Sequence, residues 1–470
     1  MGSVLKKLSY QLDKSLKLPL YLQLYQQIKN AIHHQSLLYG ERLPSKRQLC
    51  DYLQISQNTV ESAYAQLLAE GYIESKARKG FFVCFKAELE FNLKTSLPEP
   101  QITHVKLPIK FDLNPDKIDS NHFPLQIWRK CGRNNFGFQG KSWLNLGDSP
   151  GDWNLRYEIA NYLSASRGVQ CDVEQIIICA GVESCLQQLI LLFDNCYSHS
   201  ILRYAMESYG YSKVEALLQS YEKKIIKLPI EKNTLKLDLN VLNKYAVNIA
   251  YLTPSHLYPF GQVLSISQRQ QLLEWVNLQP DRFIIEDDYD SEFRYKGKPI
   301  PALQSLDCNE KVIYLGSFSK LIMPSLRMTF MVLPKRLLPI YQKYCGFFHS
   351  SVSRFEQQRL ACFISSGEFE KHIHRMRKIY RKKMELICRI LTPYREKIRY
   401  YGEYSGFYLL IELINESRAS EMLTARALEV GVKVYPINYD QRILFSIGFG
   451  DLTEEQLEQA MNILLVVWEI

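Results

Sequence analysis

Hydrophobic positions recur with a helical period over residues 19–36, where Leu24, Ile28, Ala31 and Ile32 share one face and Pro19 stands near the start. Gly40 breaks the pattern. Ser45 is a candidate N-cap for a short second helix in which Leu49, Tyr52 and Leu53 are apolar. After the turn Gln54-Ile55-Ser56, the spacing predicts a third helix over Gln57–Glu70, buried along Val60, Ala63, Tyr64, Leu67 and Leu68 and ended by Gly71. Tyr72–Ile73 and Phe81–Val83 are short β runs. The loop between them carries Lys76, Arg78 and Lys79 and a turn glycine, Gly80. Periodicity then disappears from Lys86 to about Lys110, a stretch with Pro98, Pro100 and Pro108 that predicts a semi-extended linker over 87–110.

From Phe111 the pattern changes. Apolar runs of core-strand length occur at Ile176–Cys179, Ser200–Tyr204, Ile249–Thr253, Phe283–Glu286, Val312–Leu315 and Met328–Leu333. Helical patterns fall between several of them, at 183–193, 208–220 and 266–278. That alternation predicts an α/β body around a mainly parallel sheet, with a smaller α+β subdomain over about 354–470. The expected division is 1–86, 87–110 and 111–470.

Composition narrows the class. Of 470 residues, 46% are hydrophobic and 23% charged, which excludes disordered, collagen-like and coiled-coil chains. No apolar run reaches the 18 or so residues of a membrane span, and the Lys/Leu-alternating N-terminus lacks the apolar core of a secretory signal. Eleven cysteines without a Cys-x-x-Cys pair predict reduced thiols in a cytoplasm. Nine histidines show no metal spacing, so no metal is expected. Net charge is uneven. Residues 1–86 hold 12 Lys/Arg against 6 Asp/Glu, a net +6, whereas the remainder holds 46 against 43, a net +3.

Three helices with a tight second-to-third turn and a basic hairpin describe a winged helix-turn-helix. In such a module the third helix enters the DNA major groove and the wing meets phosphates. The buried stripe leaves Gln57, Asn58, Glu61 and Ser62 facing outward, with Thr59 beside them, and Gln or Asn can pair bidentately with adenine. Lys46, Arg47, Arg78 and Lys79 are the expected phosphate neutralisers, with Gly80 in the wing turn. A small helical domain with a solvated basic face is the competing reading.

Candidate chemistry lies at two strand ends. Gly316-Ser317-Phe318-Ser319-Lys320 follows the run Val312–Leu315, and Arg327 lies seven residues further. A lysine among hydroxyls with a following arginine suits a phosphate-bearing aldehyde. The run Phe283–Ile285 ends in Glu286-Asp287-Asp288-Tyr289-Asp290. A carboxylate there can pair with a pyridinium nitrogen, and a phenol with a ring oxygen. Alone, the lysine string reads as a polar surface loop, and the acidic string as a solvated loop or a divalent cation site. Together, each after a core strand, they mark an α/β ligand site.

With these strings the chain resembles a known family. Leu43-Pro44-Ser45-Lys46-Arg47-Gln48-Leu49, Ser56-Gln57-Asn58-Thr59-Val60 and Glu70-Gly71-Tyr72-Ile73 are similar to the winged helix of GntR-type bacterial regulators. Ser166-Arg167-Gly168-Val169, Thr253-Pro254-Ser255-His256, the acidic string through Tyr295, and Pro299-Ile300-Pro301-Ala302-Leu303 resemble fold-type I aminotransferases. The fusion resembles the MocR/GabR family of pyridoxal 5′-phosphate (PLP)-dependent transcriptional regulators over nearly the whole chain.

The resemblance implies that Lys320 holds PLP as a Schiff base, Asp287 pairs with the ring nitrogen and Tyr289 faces the ring hydroxyl. It implies that Ser317, Ser319 and Arg327 hold the phosphate together with the amides of Gly181 and Val182, and that Tyr211 stacks on the ring. His256 or Tyr258 meets a ring oxygen. A double-stranded DNA operator, a homodimer, and an amine, an amino acid or PLP itself as effector are implied likewise; a catalytically active aminotransferase is the alternative. Four positions depart from the family pattern: Leu146 replaces a tyrosine supplied across the dimer, Glu183 a glutamine, Tyr209 a proline, and Ser446 stands near the expected carboxylate-binding arginine. Arg442 is the nearest substitute in sequence.

Overall fold

The computed structural model describes residues 11–16, 18–86, 109–134, 144–197, 201–231, 234–439 and 442–470. Two compact units divide the chain, Met1–His104 and Val105–Ile470. The N-terminal ten residues and the expected linker, except its last two positions, lie outside the described residues.

In the first unit, α1 (Leu20–His33), α2 (Lys46–Leu53) and α3 (Gln57–Ala69) precede a hairpin of β1 (Ile73–Lys76) and β2 (Gly80–Val83). Local signals set these limits. Ser45 caps α2 in a reciprocal capping box with Gln48, and Ser56 caps α3 through the Thr59 amide. Leu24, Ile28, Leu49, Val60, Ala63, Tyr64 and Leu67 are buried in one core with Ile73 and Val83 from the hairpin. Tyr64 satisfies its buried hydroxyl by donating to the Pro44 carbonyl at 2.9 Å. β1 runs further into the basic loop than the apolar pattern suggested, pairing Lys76 with Gly80. An outer strand needs its backbone ladder, not apolar side chains, so exposed Glu74, Ser75 and Lys76 hid it. The turn is then only Ala77-Arg78-Lys79, with Arg78 at φ +61° and Gly80 at φ +104°.

The second unit holds a seven-stranded sheet. Its strands are β4 (Ile176–Cys179), β5 (Arg203–Glu207), β6 (Lys224–Leu228), β7 (Ile249–Leu252), β8 (Phe283–Asp288), β9 (Val312–Ser317) and β10 (Thr329–Val332), in the order β4-β10-β9-β8-β7-β5-β6. Only β10 runs against its neighbours. Helices cover both faces, as a parallel sheet requires. These include α4 (Trp153–Arg167), α5 (Val182–Cys196), α6 (Ser212–Ser220) and α7 (Ile266–Asn277). Side chains alternate between the two cores: Phe283 and Ile285 pack with α5 residues Leu186 and Phe193, whereas Ile284 packs with α7 residues Leu272 and Trp275.

Two strand expectations needed revision. The run placed at Ser200–Tyr204 forms β5 later, at Arg203–Glu207, and β6 was not foreseen. β5 ends in a buried glutamate and β6 is an edge strand with lysine at its first and fourth positions, so neither shows a continuous apolar run.

A four-stranded antiparallel sheet, in the order β11 (Ile398–Tyr401), β12 (Tyr408–Leu413), β15 (Arg442–Gly448), β14 (Tyr435–Tyr439), forms the smaller subdomain with the long helix α8 (Glu368–Leu391). A short strand β3 (Phe111–Asp112), at the start of the body, pairs in parallel with β13 (Val432–Lys433). The subdomain therefore recruits residues from the other end of the body.

Candidate ligand site and DNA-reading surface

β4, β5, β7, β8 and β9 share one direction, so the segments leaving their carboxyl ends gather at one sheet edge. Gly181-Val182 follows β4, Tyr211 follows β5, the 253–258 segment follows β7, Asp287 and Tyr289 end β8, and Ser317, Ser319 and Lys320 end β9. Ligand sites of open α/β sheets form at this edge.

Asp287 is buried and accepts a short hydrogen bond from the Tyr251 hydroxyl on the neighbouring strand β7. Burial pushes its carboxyl up to about 7; the Tyr251 hydrogen bond opposes this, while Asp288 and Asp290 add to it. Tyr251 is missing from the sequence-based set. Its signal was a tyrosine inside an otherwise aliphatic strand, since a buried phenol needs a partner.

Tyr289 donates its hydroxyl to the His256 carbonyl at 3.1 Å, and its ring lies against the His256 imidazole with centroids 5.7 Å apart. His256 is itself buried, with Nδ1 2.7 Å from Asp290 Oδ2. The imidazole thus serves Asp290 and backs Tyr289. Tyr258 instead packs edge-on to Tyr408, and the Asp116 carboxylate adds to the burial that raises its phenol to about 12. Of the two residues left open by the sequence, Tyr258 stands by the charged group that pairs with Lys320.

The Lys320 amine lies 2.8 Å from Asp116 Oδ1 and donates to the Pro115 carbonyl at 3.0 Å. This partnership spans 204 residues of chain and has no sequence signal. Ser317 Oγ accepts from the Ser319 amide at 3.2 Å, while Ser319 Oγ is buried without a hydrogen-bond partner. Arg327, at φ +48°, donates to Glu183 at 2.8 Å. Both side chains lie over Gly181, the N-cap of α5, where a Cβ would stand 2.3 Å from Arg327 Nη2. Tyr211 is half-buried at the start of α6, with the Lys213 ammonium 5.7 Å from its ring centre.

Other buried ions frame the site. Arg167, at the end of α4, donates to Asp288 and to Ser255, each at 2.7 Å. Glu207 accepts from the Thr253 amide at 2.7 Å and from its hydroxyl at 2.9 Å, and burial pushes the carboxyl up to about 7. Ser446 is buried in β15 without a partner for its hydroxyl. Arg442, four residues earlier, has Nε 3.6 Å from Glu412 and its guanidinium 5.3 Å from the Tyr439 ring. Leu146 is largely exposed.

On the first unit, Arg47, Gln57, Asn58, Arg78 and Lys79 are exposed. Two expected DNA contacts are engaged locally. Lys46 forms a close ion pair with Glu61 of α3, and the Thr59 hydroxyl lies 2.8 Å from Ser56 Oγ within the α3 cap. Gly80 is packed beneath the Arg42 guanidinium, 3.4 Å from where a Cβ would stand.

Comparison with known proteins defines the class. Residues 20–83 match the model of bacterial regulatory proteins of the gntR family, and residues 108–464 match that of aminotransferase class I and II. An archaeal alanine:glyoxylate aminotransferase shares the fold with a TM-score of 0.67 at 20% identity, over 77% of this chain and 91% of that one. The molecule is thus a winged-helix reader fused to an aminotransferase-like body, a fold whose members use PLP.

Relatives share the whole arrangement. The uncharacterized HTH-type transcriptional regulator YdeL of Bacillus subtilis (strain 168) is 36% identical, over 98% of this chain and 99% of that protein. The probable rhizopine catabolism regulatory protein MocR of Rhizobium meliloti is 28% identical over 91% and 88%. The HTH-type pyridoxine biosynthesis transcriptional regulator PdxR of Corynebacterium glutamicum is 29% identical over 78% and 77%. The chain belongs to the MocR/PdxR-type family of HTH transcriptional regulators, in which a GntR winged helix is joined to an aminotransferase-like domain. Among the described residues, no helix is long and apolar enough to cross a membrane.

Proposed function

We propose that this regulator works in the cytoplasm as a homodimer, holding PLP in its body and reading a double-stranded operator through residues 1–86, with 87–110 as the tether to residues 111–470. The observation that carries the reading is that Lys320, Asp287, Tyr289 and Arg327 all lie at one edge of the sheet, in a chain whose residues 20–83 form a basic winged helix.

Two features fit the site to a phosphate-bearing aldehyde. Ser319 Oγ is a buried hydroxyl without a partner, and Gly181 keeps open a space that a Cβ would fill against Arg327. Ser317, Ser319, Arg327 and the amides of Gly181 and Val182 at the start of α5 would take the phosphate. Asp287, steadied by Tyr251, would face the ring nitrogen; Tyr289 and Tyr258 would face ring oxygens; Tyr211 would cover the ring; Lys320 would take the aldehyde. When bound, PLP supplies an aldehyde that condenses with primary amines and a ring that accepts electron density. Arg47, Arg78 and Lys79 would neutralise phosphates, with Lys46 contributing less because Glu61 already pairs it. Gln57 and Asn58 would reach base edges, while Thr59 holds the start of α3 and Gly80 shapes the wing.

The effector is an amine, an amino acid or PLP itself, and it acts by binding two conformations of the body with different affinity. The name of the relative PdxR favours a vitamin B6 signal. The test is a mobility-shift titration of the full chain on its own promoter DNA, with and without PLP and amines. Failure to shift that DNA at low salt overturns the proposal. Turnover of an amino donor and a keto acid at about 1–1000 per second would instead favour an authentic aminotransferase.

A further inference from the structure

We propose that Glu183 is a built-in competitor for the phosphate of PLP, so that the body holds the vitamer exchangeably rather than permanently. This rests on the reading of the site as PLP-binding.

Arg327 and Glu183 lie 144 positions apart in the chain, yet their side chains meet at 2.8 Å. They meet directly above the backbone at the start of α5. An added Cβ on Gly181 would stand 2.3 Å from Arg327 Nη2 and 2.6 Å from Glu183 Oε2. Gly181 has φ +92°, a conformation that L side chains rarely adopt, so this approach is fixed by the backbone. No side chain caps α5, and Glu183 is the acidic residue of its first turn. It therefore supplies a negative charge where a helix N-terminus favours one.

A phosphate seated on these amides and on Arg327 would share with Glu183 the one guanidinium that Glu183 now pairs with. It also brings its own negative charge against the Glu183 carboxylate. Lys213, over the Tyr211 ring, is a further cation facing Glu183. Glu183 has room to yield, since its side chain keeps 32% exposure and that of Arg327 52%. Phosphate binding thus exchanges one anion for another at the same guanidinium. Occupancy of the body then follows the concentration of free PLP, as a sensor of that vitamer requires.

The experiment titrates the full-length protein with PLP and, separately, with pyridoxal, which lacks the phosphate, following the visible absorption band of the bound vitamer. Glu183→Gln removes the charge and keeps the shape; Glu183→Ala serves if the first variant folds poorly. Glu458→Gln, an exposed residue elsewhere, controls for net charge. Glu183→Gln is expected to tighten PLP binding about tenfold, or about 1.4 kcal/mol, and to slow PLP release, leaving pyridoxal binding and the Glu458→Gln control unchanged. PLP affinity that is equal or weaker in Glu183→Gln overturns the proposal, as do PLP and pyridoxal tightening together. If neither wild type nor variant gains the band with either vitamer, the PLP reading itself fails; if both gain it equally, only the competitor role fails.

Discussion

The amine of Lys320 sits 2.8 Å from the carboxylate of Asp116, joining the loop after β9 to the segment after β3. The Lys320 side chain is 21% exposed and that of Asp116 70%, and an ion pair with one side this open to solvent contributes about 0–1 kcal/mol. Lys320→Ala should therefore leave the thermal midpoint nearly unchanged. It should abolish the visible band on PLP addition while basal operator binding persists. Absorption, melting and mobility-shift assays on one preparation check all three. A folded Lys320→Ala protein that no longer binds DNA would refute the division of labour between the two units.

Asp287 offers a second prediction. Its carboxyl is buried on β8 and accepts from Tyr251. A charge-assisted pair with a ring nitrogen contributes about 1.5–3 kcal/mol. Asp287→Asn should weaken PLP binding by roughly 10–100-fold at neutral pH. Tyr251→Phe, which removes only the supporting hydroxyl, should weaken it less. Equal PLP affinity in Asp287→Asn and wild type would remove Asp287 from the site.

Stability should depend on pH through Glu207. Its ordinary value of 4.5 is pushed up to about 7 by burial. Between those values the folded protein keeps a proton that the unfolded chain has released. This group's contribution to stability therefore falls as pH rises from about 4.5 to about 7, then levels off. Glu207→Gln keeps an acceptor for Thr253 and has no proton to release. Its stability relative to wild type should rise across that window by an amount on the order of 3 kcal/mol at most. Denaturant melts at pH 5, 6, 7 and 8 measure the difference; a flat one contradicts the assignment.

The DNA-reading surface separates two kinds of contact. Arg47→Ala, Arg78→Ala and Lys79→Ala should each reduce the salt slope of operator binding by about one unit. Lys46→Ala should reduce it less, because its ammonium already faces Glu61. Asn58→Ala should leave the slope alone and cost about 1–3 kcal/mol of discrimination against base changes. Binding measured across salt concentrations on native and altered operators resolves the two patterns. A full unit of slope lost in Lys46→Ala would show that its ion pair opens on DNA.

The winged helix was legible almost to the residue because its caps and apolar stripe are local. Ser45 and Ser56 announce their helices, and Val60, Ala63, Tyr64 and Leu67 repeat at helical spacing. In the body, aliphatic runs located most central strands. They misplaced β5, which ends in the buried Glu207, and stopped two residues short of the end of β8 at Asp287–Asp288, since burial of a charge depends on partners that tertiary structure brings. The same limit hid Asp116 beside Lys320 and Tyr251 behind Asp287. It also concealed that Asp290 claims the Nδ1 of His256. Such pairings form between segments whose separation carries no periodic signal.

The short ladder between Phe111–Asp112 and Val432–Lys433 has a mechanical consequence. The body's incoming chain is stitched to the small sheet's side, not to the seven-stranded one. Any tilt of that subdomain would draw the stitched segment along, and four residues further on Asp116, the partner of Lys320. Such a hinge would transmit motion by direct traction, with no relay through the main sheet.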